Sequence, residues 1–478
     1  MESAVRKLRV GLTGFGLETY WPQFDGLEER LRGYLSTVQR KIESSDRIVI
    51  NLGLVDSPQR AVETGHACRQ QDIDILLVYL TTYALSSTVL PVISRAKVPV
   101  VLLNLQPEAA IDYAHLNRMD SRTAMTGEWL AYCGSCPVPE IANVLRRLDI
   151  PFQQITGMLH DDPACWAELE EWLCAAQIAK TLSHSRMGLM GHYYSGMLDI
   201  ATDLAQVTGR FGTHIEMLEV DQLSGLRREV TKQETVAKAA EFSNFFAIDE
   251  NCSPEELDRA ATTAVALDKM VANNSLDMLA YYAMGTGIDE NENTMSSIIL
   301  GTSLLTGNGV PVAGEYEIKN VLAMKIMDEL GAGGSFTEYY AMDFKDDVVL
   351  MGHDGPGHPR IAQDKIRVRP LRVYHGKVGR GLSVEMAVKY GPVTLLSVVE
   401  DKEKGFLLLI AEGESVAGPI LEIGNTNSRY RFSIGARNFV EAWNARGPAH
   451  HCAIGIGCQG KQLRKLAELM NFGFHQVC

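Results

Sequence analysis

The stretch IDILLVYLTTYALSSTVLPVISRAKVPVVLLNL, residues 73–105, indicates the fold class of the first part of the chain. It begins with the apolar run Ile73–Leu80 and ends with a second one, Val98–Leu105. Both runs are rich in Val, Leu and Ile and carry few charges, as is typical of parallel strands that are covered on both faces. The segment Ser87–Ala96 between them has a helical pattern. This strand–helix–strand order predicts a parallel sheet.

The same alternation extends from this stretch towards the N-terminus. Leu8–Leu12 and Arg47–Leu52 are predicted to be further strands, and Phe24–Ile42 and Ala61–Gln71 to be helices. An open parallel sheet with helices on both faces follows from this order. The first third of the chain therefore predicts a doubly wound, Rossmann-like α/β domain.

A glycine-rich segment, Gly11–Gly16, follows the first predicted strand. A turn of this kind between a strand and a helix can hold a phosphate group on its backbone amides. However, the glycine spacing differs from the dinucleotide-binding fingerprint, and no acidic residue ends the second strand where that fold needs one, although Asp56 is near. We therefore interpret the segment as a tight turn at the carboxyl edge of the sheet.

The middle third of the chain repeats the alternation of strands and helices. A capping serine, a proline at the first helical position and a glutamate three residues after the cap mark one helix start at Ser253. The predicted elements are the strands Arg186–Met190, Thr213–Val220 and Met278–Met284, a helix from about Met197, and the helices from Ser253 to Asn273 and Glu292–Leu305. They predict a second Rossmann-like domain with a parallel sheet.

After about Asp347 short strands follow one another without helices between them. The predicted strands are Lys365–Val373, Leu382–Lys389, Val393–Glu400, Gly405–Glu412 and Ala453–Gly457, followed by the helix Lys461–Asn471. Strands at this spacing predict a C-terminal domain with an antiparallel β-sheet or barrel. We place the domains at residues 1–165, 166–320 and 321–478.

The bulk composition narrows the classes of function. Of the 478 residues 46% are hydrophobic and 22% charged, the mix of a globular protein. The net charge of −14 without a basic block argues against nucleic-acid binding. The apolar runs are shorter than the roughly 20 residues of a membrane span, and the start MESAVRKLRV has no signal-peptide core. We expect a cytoplasmic protein that acts on a small molecule, with no membrane partner.

Nine cysteines at irregular spacing argue against a framework of disulfides. Cys133 and Cys136 form one CxxC motif, but a four-cysteine zinc site needs a second pair, which the sequence does not have. The motif is more typical of two ordinary thiols than of a redox or zinc site. Whether these thiols touch a substrate loop stays open.

Residues that could carry chemistry concentrate between positions 308 and 360. Glu315 follows the apolar turn VPVAG and is predicted to open a helix, while Glu338 lies between aromatic residues in SFTEYY. Asp343 comes shortly after, and His353 follows the predicted strand Val348–Met351. Carboxylates suit Mg²⁺ and Mn²⁺, and an imidazole among them favours Mn²⁺. The pattern is compatible with a site for Mn²⁺, Mg²⁺ or Co²⁺.

A further ligand could come from His450 and His451. Neighbouring residues on a strand point to opposite faces, so at most one of the two should bind a metal. Spacing alone does not exclude three other histidines, His184, His192 and His358. Each candidate also has a structural interpretation; Glu315, for example, could simply favour a helix N-terminus. From spacing alone the metal-site and structural interpretations are evenly balanced.

The segments GEYEIKN, GGSFTEYY, MGH and GPAHHC resemble the L-arabinose isomerase family and, more loosely, the L-fucose isomerases. TGFGLETYWPQ, GHYYSGMLD and FGTHIEMLE extend the resemblance in order over most of the chain. The resemblance implies that Mn²⁺, or Mg²⁺ or Co²⁺, is bound by four residues, Glu315, Glu338, His353 and His451, with His450 as the alternative to the last. Substrate contacts are expected from three residues, Tyr20, His192 and His450.

The activity that the resemblance implies is aldose–ketose isomerisation, an intramolecular oxidoreduction. A free aldose and its ketose interconvert through an enediol as a proton moves between C1 and C2, with Glu315 and Glu338 as the acid/base pair at the cation. Two α/β domains, a C-terminal β domain and a homo-oligomer, commonly a hexamer with active sites between subunits, are also implied.

The sequence departs from the family at two places that help to line the sugar site. Residues 14–21 read GFGLETYW, without the glutamine and histidine that arabinose isomerases usually carry there, and residues 132–136 read YCGSC. The specific sugar is therefore left open. Two alternatives stand beside an isomerase of a common aldose: an isomerase of the same mechanism on an unusual or modified sugar, and a non-catalytic sugar-binding protein.

Overall fold

The computed structural model describes residues 7–284, 288–371, 373–374, 377–378 and 380–478. The chain separates into two compact units, Met1–Lys180 and Thr181–Cys478. The division into three domains that the sequence predicts stays a prediction.

The N-terminal unit contains a five-stranded parallel sheet in the order β2-β1-β3-β4-β5. Its strands are β1 Leu8–Phe15, β2 Arg47–Val55, β3 Ile75–Leu80, β4 Val100–Gln106 and β5 Gln153–Met158. The helices are α1 Leu27–Ile42, α2 Pro58–Gln70, α3 Ser86–Ala96, α4 Tyr113–Leu116, α5 Arg122–Leu130, α6 Val138–Arg147 and α7 Pro163–His184, in which the boundary between the units falls. This strand order is one of the common doubly wound arrangements, so the predicted fold class is confirmed here.

The apolar residues of this unit account for its strands and helices, but one sequence prediction was wrong. All of β3 is buried, and α1 buries one apolar stripe that includes Leu31 and Leu35. The predicted glycine-rich turn at Gly11–Gly16 is wrong, because β1 continues to Phe15 and only Gly16 follows it. At Gly11 a Cβ would lie 2.7 Å from Cδ1 of Ile73, just before β3, and 3.3 Å from Cδ1 of Leu76 in it, so this glycine allows close packing of both side chains.

The second unit begins with a four-stranded parallel sheet in the order β10-β9-β6-β7. The strands up to residue 313 are β6 Arg186–Gly191, β7 His214–Leu218, β8 Phe246–Ile248, β9 Met278–Tyr282 and β10 Val312–Ala313. The helices are α8 Leu204–Phe211, α9 Val220–Arg228, α10 Lys232–Phe245, α11 Pro254–Asn274, α12 Asp289–Met295, α13 Ile299–Gly307 and α14 Ile318–Glu329. The predicted parallel sheet of the middle third is thus confirmed.

Local capping explains where the predictions hold and where they fail. Ser253 caps α11, its Oγ accepting the backbone N–H of Glu256 at 3.2 Å, as predicted. The helix predicted from about Met197 is wrong, because Asp203 caps a helix that begins only at Leu204. The single helix predicted over residues 292–305 is instead two helices, α12 and α13, since the hydroxyl of Ser297 between them bonds to backbone carbonyls of α12.

The rest of the second unit is built mainly on antiparallel strands. They are β11 Gly333–Asp343, β12 Val348–His353, β13 Ile366–Pro370, β14 Val373–Tyr374, β15 Lys377–Val378, β16 Leu382–Glu385, β17 Gly391–Asp401, β18 Gly405–Val416, β19 Thr426–Phe432, β20 His451–Ile456 and β21 Gly473–Gln476. Two helices, α15 Ala436–Asn444 and α16 Gly460–Leu469, complete it. Part of the predicted strand Lys365–Val373, Arg372, lies outside the described residues.

Six of these strands close into a barrel. The order is β17-β20-β11-β12-β19-β18, every neighbouring pair is antiparallel, and β18 pairs back with β17. β21 adds to β18 in parallel, whereas β16, β13 and β8 form a separate small sheet. The predicted antiparallel sheet or barrel is therefore confirmed as a closed barrel.

Helix α14 joins the parallel sheet of the second unit to the barrel. The ten residues Ile318–Met327 are all buried, although two of them are lysines. The helix packs against β9 and β10 on one side and against β11, β17 and β20 of the barrel on the other. The turn that precedes α14 is thereby brought next to the barrel strands. Within the described part of the chain, every helix is too short or too polar to cross a membrane.

Candidate metal centre

Three neighbouring barrel strands bring two histidines and a glutamate together. Glu338 on β11 lies directly opposite His451 on β20 and, on its other side, opposite Gly352 on β12. His353 follows Gly352 and ends β12. One ligand atom from each of Glu338, His353 and His451 lies within 4.8 Å of the other two. The strand register alone therefore assembles three of the four predicted ligands.

Glu315 reaches the same place from a strained turn between β10 and α14. The prediction that Glu315 opens a helix is wrong, because α14 begins three residues later. Glu315 and Tyr316 have φ angles of 56° and 64°, in the left-handed region. Such conformations cost about 1–3 kcal/mol each outside glycine and are concentrated at functional sites. The backbone N–H of Tyr316 secures the turn by donating to the carbonyl of Tyr281 at 3.0 Å.

The carboxylate of Glu315 faces three imidazoles. Its Oε2 lies 3.3 Å from Nε2 of His451 and 3.7 Å from Nε2 of His450, and its Oε1 lies 3.9 Å from Nε2 of His353. Glu315, His450 and His451 form a second group whose ligand atoms all lie within 4.8 Å of one another. The structure thus brings all four predicted ligands together and adds His450.

The hydrogen bonds of the two buried histidines determine which ring nitrogen is free. Nδ1 of His353 lies 2.6 Å from the carbonyl oxygen of Asp354, and Nδ1 of His451 lies 3.4 Å from Oε2 of Glu317. Because these oxygens accept, each Nδ1 carries hydrogen and each neutral ring presents a lone pair at Nε2. The two Nε2 atoms face each other at 3.2 Å, and Oε2 of Glu315 is buried without a hydrogen bond among the described residues. This donor set fits a divalent cation.

Without a cation the cluster can relieve the repulsion between the lone pairs by holding a proton. Burial lowers the pKa of His353 to about 3, and the neighbouring His451 adds to that shift. For His451, burial opposes the charged form, but Glu315 and Glu317 outweigh it and raise the pKa. Burial likewise opposes the charge of Glu315, yet His450 and His451 hold the pKa of this carboxyl well below its usual range. Of the two facing imidazoles, His451 is therefore the more easily protonated.

Glu317 and Phe336 support these histidines and were missed by sequence reasoning. Glu317 is fully buried and bonds to Nδ1 of His451, the arrangement in which a carboxylate orients a metal-binding imidazole. The ring of Phe336 packs against His353 and His451 at centroid distances of 4.3 and 4.4 Å. Both residues belong to quoted motifs, GEYE and SFTEYY, so their proximity to the ligands was the available signal.

His450 is held by Asp199, a contact that the sequence did not predict. His450 precedes β20 rather than lying in it, so the expectation that it and His451 face opposite sides is wrong; their ring centroids are 3.8 Å apart. Oδ2 of Asp199 accepts from the backbone N–H of His450 at 2.9 Å and lies 2.6 Å from its Nδ1. Burial opposes the charge of His450, but Glu315 and Asp199 raise its pKa to about 9.

A cavity of about 370 Å³ opens beside the cluster. This volume falls in the range of small-molecule sites. The cavity is lined by Asp199, Glu338, Tyr339, Trp443, Asn444, Pro448, Ala449 and His450. Two carboxylates, an amide and an imidazole thus lie beside aromatic and aliphatic groups, which suits a ligand with both hydroxyl groups and apolar C–H faces.

Tyr20 and His192, the two other residues predicted to contact substrate, each pack against a neighbouring aromatic ring. Tyr20 belongs to the N-terminal unit, where its ring packs edge-on against Phe24 at 5.8 Å. His192 is exposed just after β6; its Nδ1 lies 2.8 Å from the carbonyl oxygen of Tyr193 and its ring meets Tyr282 edge-on at 5.5 Å. Their roles in substrate binding stay predictions.

The remaining sequence candidates lie outside both ligand groups. Asp343 forms an ion pair with Arg429 at 3.6 Å, and His184 is exposed with its Nδ1 3.0 Å from the hydroxyl of Ser183. His358 is 1% exposed, and its ring nitrogens have no hydrogen-bond partner among the described residues. Burial lowers the pKa of His358 to about 4, so it is neutral at physiological pH.

All nine cysteines are free thiols in the structure. In the CxxC motif Cys133 is buried and Cys136 exposed. Burial, together with the nearby Cys136, raises the pKa of Cys133 to about 11, which keeps this sulfur protonated near neutral pH. That environment favours the interpretation of ordinary thiols.

Comparisons with solved structures identify distant similarities to solute-binding proteins of ABC transporters. A periplasmic solute-binding protein of an ABC transporter from Actinobacillus succinogenes 130z, with bound D-allose, is 10% identical, covers 64% of this chain and 83% of its own, and has a TM-score of 0.18. An ABC transporter solute-binding protein from Burkholderia multivorans is also 10% identical, covers 64% of this chain and 97% of its own, and has a TM-score of 0.15. At such TM-scores neither similarity bears on the fold or function of this chain.

A family comparison gives a more specific result for the barrel. No curated protein matches the chain. Residues 333–473, however, match the L-arabinose isomerase C-terminal domain. The matched region contains Glu338, His353, His450 and His451, whereas Glu315 precedes it. The part of the chain that supplies most of the cluster is therefore similar to the C-terminal domain of L-arabinose isomerase.

Proposed function

We propose that this protein is a metal-dependent aldose–ketose isomerase of the L-arabinose isomerase family. The observation that carries the proposal is the convergence of Glu315 with Glu338, His353 and His451 beside a cavity in the second unit. The similarity of residues 333–473 to the L-arabinose isomerase C-terminal domain supports the same activity. Extension of the family to the whole chain is part of the proposal.

The proposed ligands of the cation are Glu315, Glu338, His353 and His451. Two imidazoles and two carboxylates favour Mn²⁺ over Mg²⁺, with Co²⁺ as a further candidate. When bound, such an ion polarises the carbonyl and hydroxyl oxygens of a sugar and makes the neighbouring C–H more acidic. Glu317 would keep His451 in the tautomer whose Nε2 faces the ion.

The two glutamates are the proposed acid/base pair. Glu338 lines the cavity, whereas Glu315 lies deeper among the histidines. Since the pKa of Glu315 is held low, this side chain is a carboxylate at neutral pH and can accept a proton. Proton transfer between C2 and C1 of an open-chain aldose, through an enediol, needs one carboxylate oxygen within reach of both carbons. Phe336, packed against both buried histidines, keeps water away from that side of the cluster.

The cavity favours an uncharged sugar as the substrate. Its described lining contains the carboxylates of Asp199 and Glu338 but neither lysine nor arginine. An anionic group on the sugar would therefore meet two carboxylates, and the imidazole of His450, the cationic group of the described lining, is already paired with Asp199 at 2.6 Å. Trp443 and Tyr339 can instead cover the C–H face of a neutral aldose.

The test is ketose formation from a panel of neutral aldoses by protein stripped with a chelator, with and without added Mn²⁺. We expect turnover of at least one aldose only with the ion present, and loss of deuterium from C2 of a C2-deuterated substrate with part of the label appearing in the solvent, as proton transfer through an enediol implies. Absence of turnover for every aldose with Mn²⁺ bound would contradict the proposal and favour a binding protein.

Variants of the glutamates separate catalysis from folding. Glu315→Gln and Glu338→Gln should each lower kcat by more than about 100-fold, since an acid/base group contributes about 10²–10⁴. Glu441→Gln, at an exposed position of α15, is the matched control and should leave kcat unchanged. Equal activity of Glu338→Gln and the control would exclude Glu338 from the proposed pair.

A further inference from the structure

The imidazole of His450 is held in one orientation by a single carboxylate. Oδ2 of Asp199 contacts both the backbone N–H of His450, at 2.9 Å, and its Nδ1, at 2.6 Å. One contact secures the main chain just before β20, and the other selects the ring orientation. Since Nδ1 is occupied, only Nε2 of this ring is left to meet a ligand.

The backbone at Asp199 is itself secured by a buried lysine side chain. Lys319 on α14 is 6% exposed, and its Nζ donates to the backbone carbonyls of Asp199 at 2.6 Å and of Ala201 at 3.3 Å. The loop that carries Asp199 is therefore tied to the helix whose preceding turn carries Glu315. This link fixes the position of the Asp199 carboxylate relative to the cluster.

Nε2 of His450 points to the place where the cluster meets the cavity. It lies 3.7 Å from Oε2 of Glu315 and 3.9 Å from Oε2 of Glu338, and both His450 and Asp199 line the cavity. These distances exceed those of direct hydrogen bonds, so a small oxygen-bearing group could contact the ring there. A sugar hydroxyl both donates and accepts and would suit the ring in either protonation state.

We propose that Asp199 is a positioning residue that orients His450 to hydrogen-bond a hydroxyl of the aldose through Nε2. This proposal rests on the proposed function, because it takes an open-chain sugar as the occupant of the cavity. Asp199 acts through His450 and does not itself hold the cation. Its removal should therefore weaken sugar binding and leave metal binding unchanged.

The first experiment compares Asp199→Ala with Asp199→Asn. The amide oxygen of asparagine can accept the same two hydrogen bonds, so this variant keeps the orientation without the charge. We expect Asp199→Ala to raise KM about tenfold with a kcat change below about threefold, the pattern of lost ground-state binding. Asp199→Asn should restore KM to within about threefold of the wild type. Mn²⁺ affinity, measured by calorimetry, should stay within about twofold for both.

A double-variant cycle tests whether Asp199 acts through His450. In the His450→Ala background, Asp199→Ala should cause no further rise in KM, because the ring that it orients is absent. A KM unchanged by Asp199→Ala, an undiminished effect in the His450→Ala background, or a loss of Mn²⁺ affinity as large as that of His451→Ala would overturn the proposal.

A binding measurement keeps the test independent of turnover. L-Arabinitol carries the hydroxyls of an open-chain pentose but no carbonyl, so it cannot be isomerised. With Mn²⁺ present it should bind the wild type and Asp199→Asn similarly, and Asp199→Ala about tenfold more weakly. If the wild type isomerises no aldose but shows this pattern, the proposed function fails while the role of Asp199 stands. If L-arabinitol binds Asp199→Ala as well as the wild type, or does not bind the wild type, the positioning role is refuted.

Discussion

Glu338 and Glu315 reach one cluster from two very different kinds of backbone. Glu338 sits in the middle of a barrel strand, paired on one side with His451 and on the other with Gly352. Glu315 sits in a turn of two consecutive left-handed residues outside the barrel. In the barrel a ladder of backbone hydrogen bonds locates the side chain, whereas in the turn the surrounding structure must hold a conformation that is unfavourable by itself.

This contrast suggests that the barrel strands and the turn at Glu315 contribute to the cluster in different ways. The barrel strands fix the spacing of two histidines and one glutamate, and a closed ladder leaves them little freedom. The turn adds a carboxylate from a segment that is secured by fewer bonds and by the packing of α14. Substitutions in the barrel should therefore affect stability and metal binding together, while substitutions in the turn should affect mainly metal binding.

The largest effect should come from His451, which belongs to both ligand groups. His451→Ala should weaken Mn²⁺ binding by more than about 100-fold and abolish measurable turnover, because a direct ligand matters more than its supporting partners. Calorimetric titration of chelator-stripped protein measures the affinity. His214→Ala, at an exposed position on β7, is the matched control. Retention of wild-type affinity by His451→Ala would place the ion elsewhere.

Two glycine substitutions compare the rigidity of the regions directly. A Cβ at Gly352 would lie 1.7 Å from the carbonyl oxygen of Thr426 on the neighbouring strand, whereas one at Gly314 would lie 3.5 Å from Cε1 of Phe336. Gly352→Ala should lower the free energy of unfolding by about 3 kcal/mol or more and disturb the site. Gly314→Ala should stay within about 1 kcal/mol of the wild type. Similar unfolding curves for both variants would refute the contrast.

Glu317 links the turn region to the barrel and should have an intermediate effect. Glu317→Gln keeps the shape of the side chain but removes the carboxylate that faces Nδ1 of His451. We expect Mn²⁺ affinity to fall about 10–100-fold, the usual cost of losing a partner of a metal ligand. Glu441→Gln serves again as the control. An affinity equal to that of the control would mean that His451 needs no support from the turn side.

The smallest step, about tenfold for a change of one pH unit, is expected in the pH dependence of metal binding. Because the pKa of His451 is raised in the metal-free protein, its proton competes with the cation up to a higher pH than for an ordinary histidine. Below that pKa, Mn²⁺ affinity should fall by about tenfold for each unit of decreasing pH. In Glu317→Gln the onset should move to lower pH, because one of the charges that raise this pKa is gone. Titrations between about pH 5.5 and 8.5 would measure both curves, and an affinity independent of pH would refute the competition.

Much of the fold was predictable because it depends on local patterns. Buried parallel strands such as β3 are continuous apolar runs. The start of α11 is marked by the four consecutive residues 253–256, which include the capping serine and the proline at the first helical position. The closure of the barrel was not predictable, because alternation within β17 or β18 does not reveal which strands lie beside them. The turn at Glu315 was also not predicted, since neither of its two left-handed residues is a glycine or an asparagine.

For the candidate site, the short motifs identified the residues that now lie together, but not their supports. Glu338 stands out between aromatic residues, and His353 and His451 stand out as polar residues at the ends of apolar segments. Asp199 is 251 positions from His450, and Glu317 is 134 positions from His451. Only the packed structure brings such distant partners together, so spacing along the chain gave no sign of them.

The pairing of Glu338 with His451 also has a consequence for folding. A slip of one residue between β11 and β20 would turn Glu338 to the opposite side of the barrel and separate it from both histidines. An ion that needs these side chains together would bind only molecules whose strands have closed in the native alignment. At an ion concentration 100 times its dissociation constant, such selective binding favours the correctly aligned molecules by about 2.7 kcal/mol. The proposed metal ion would then select the native alignment of β11 and β20 during folding, in addition to its part in the reaction.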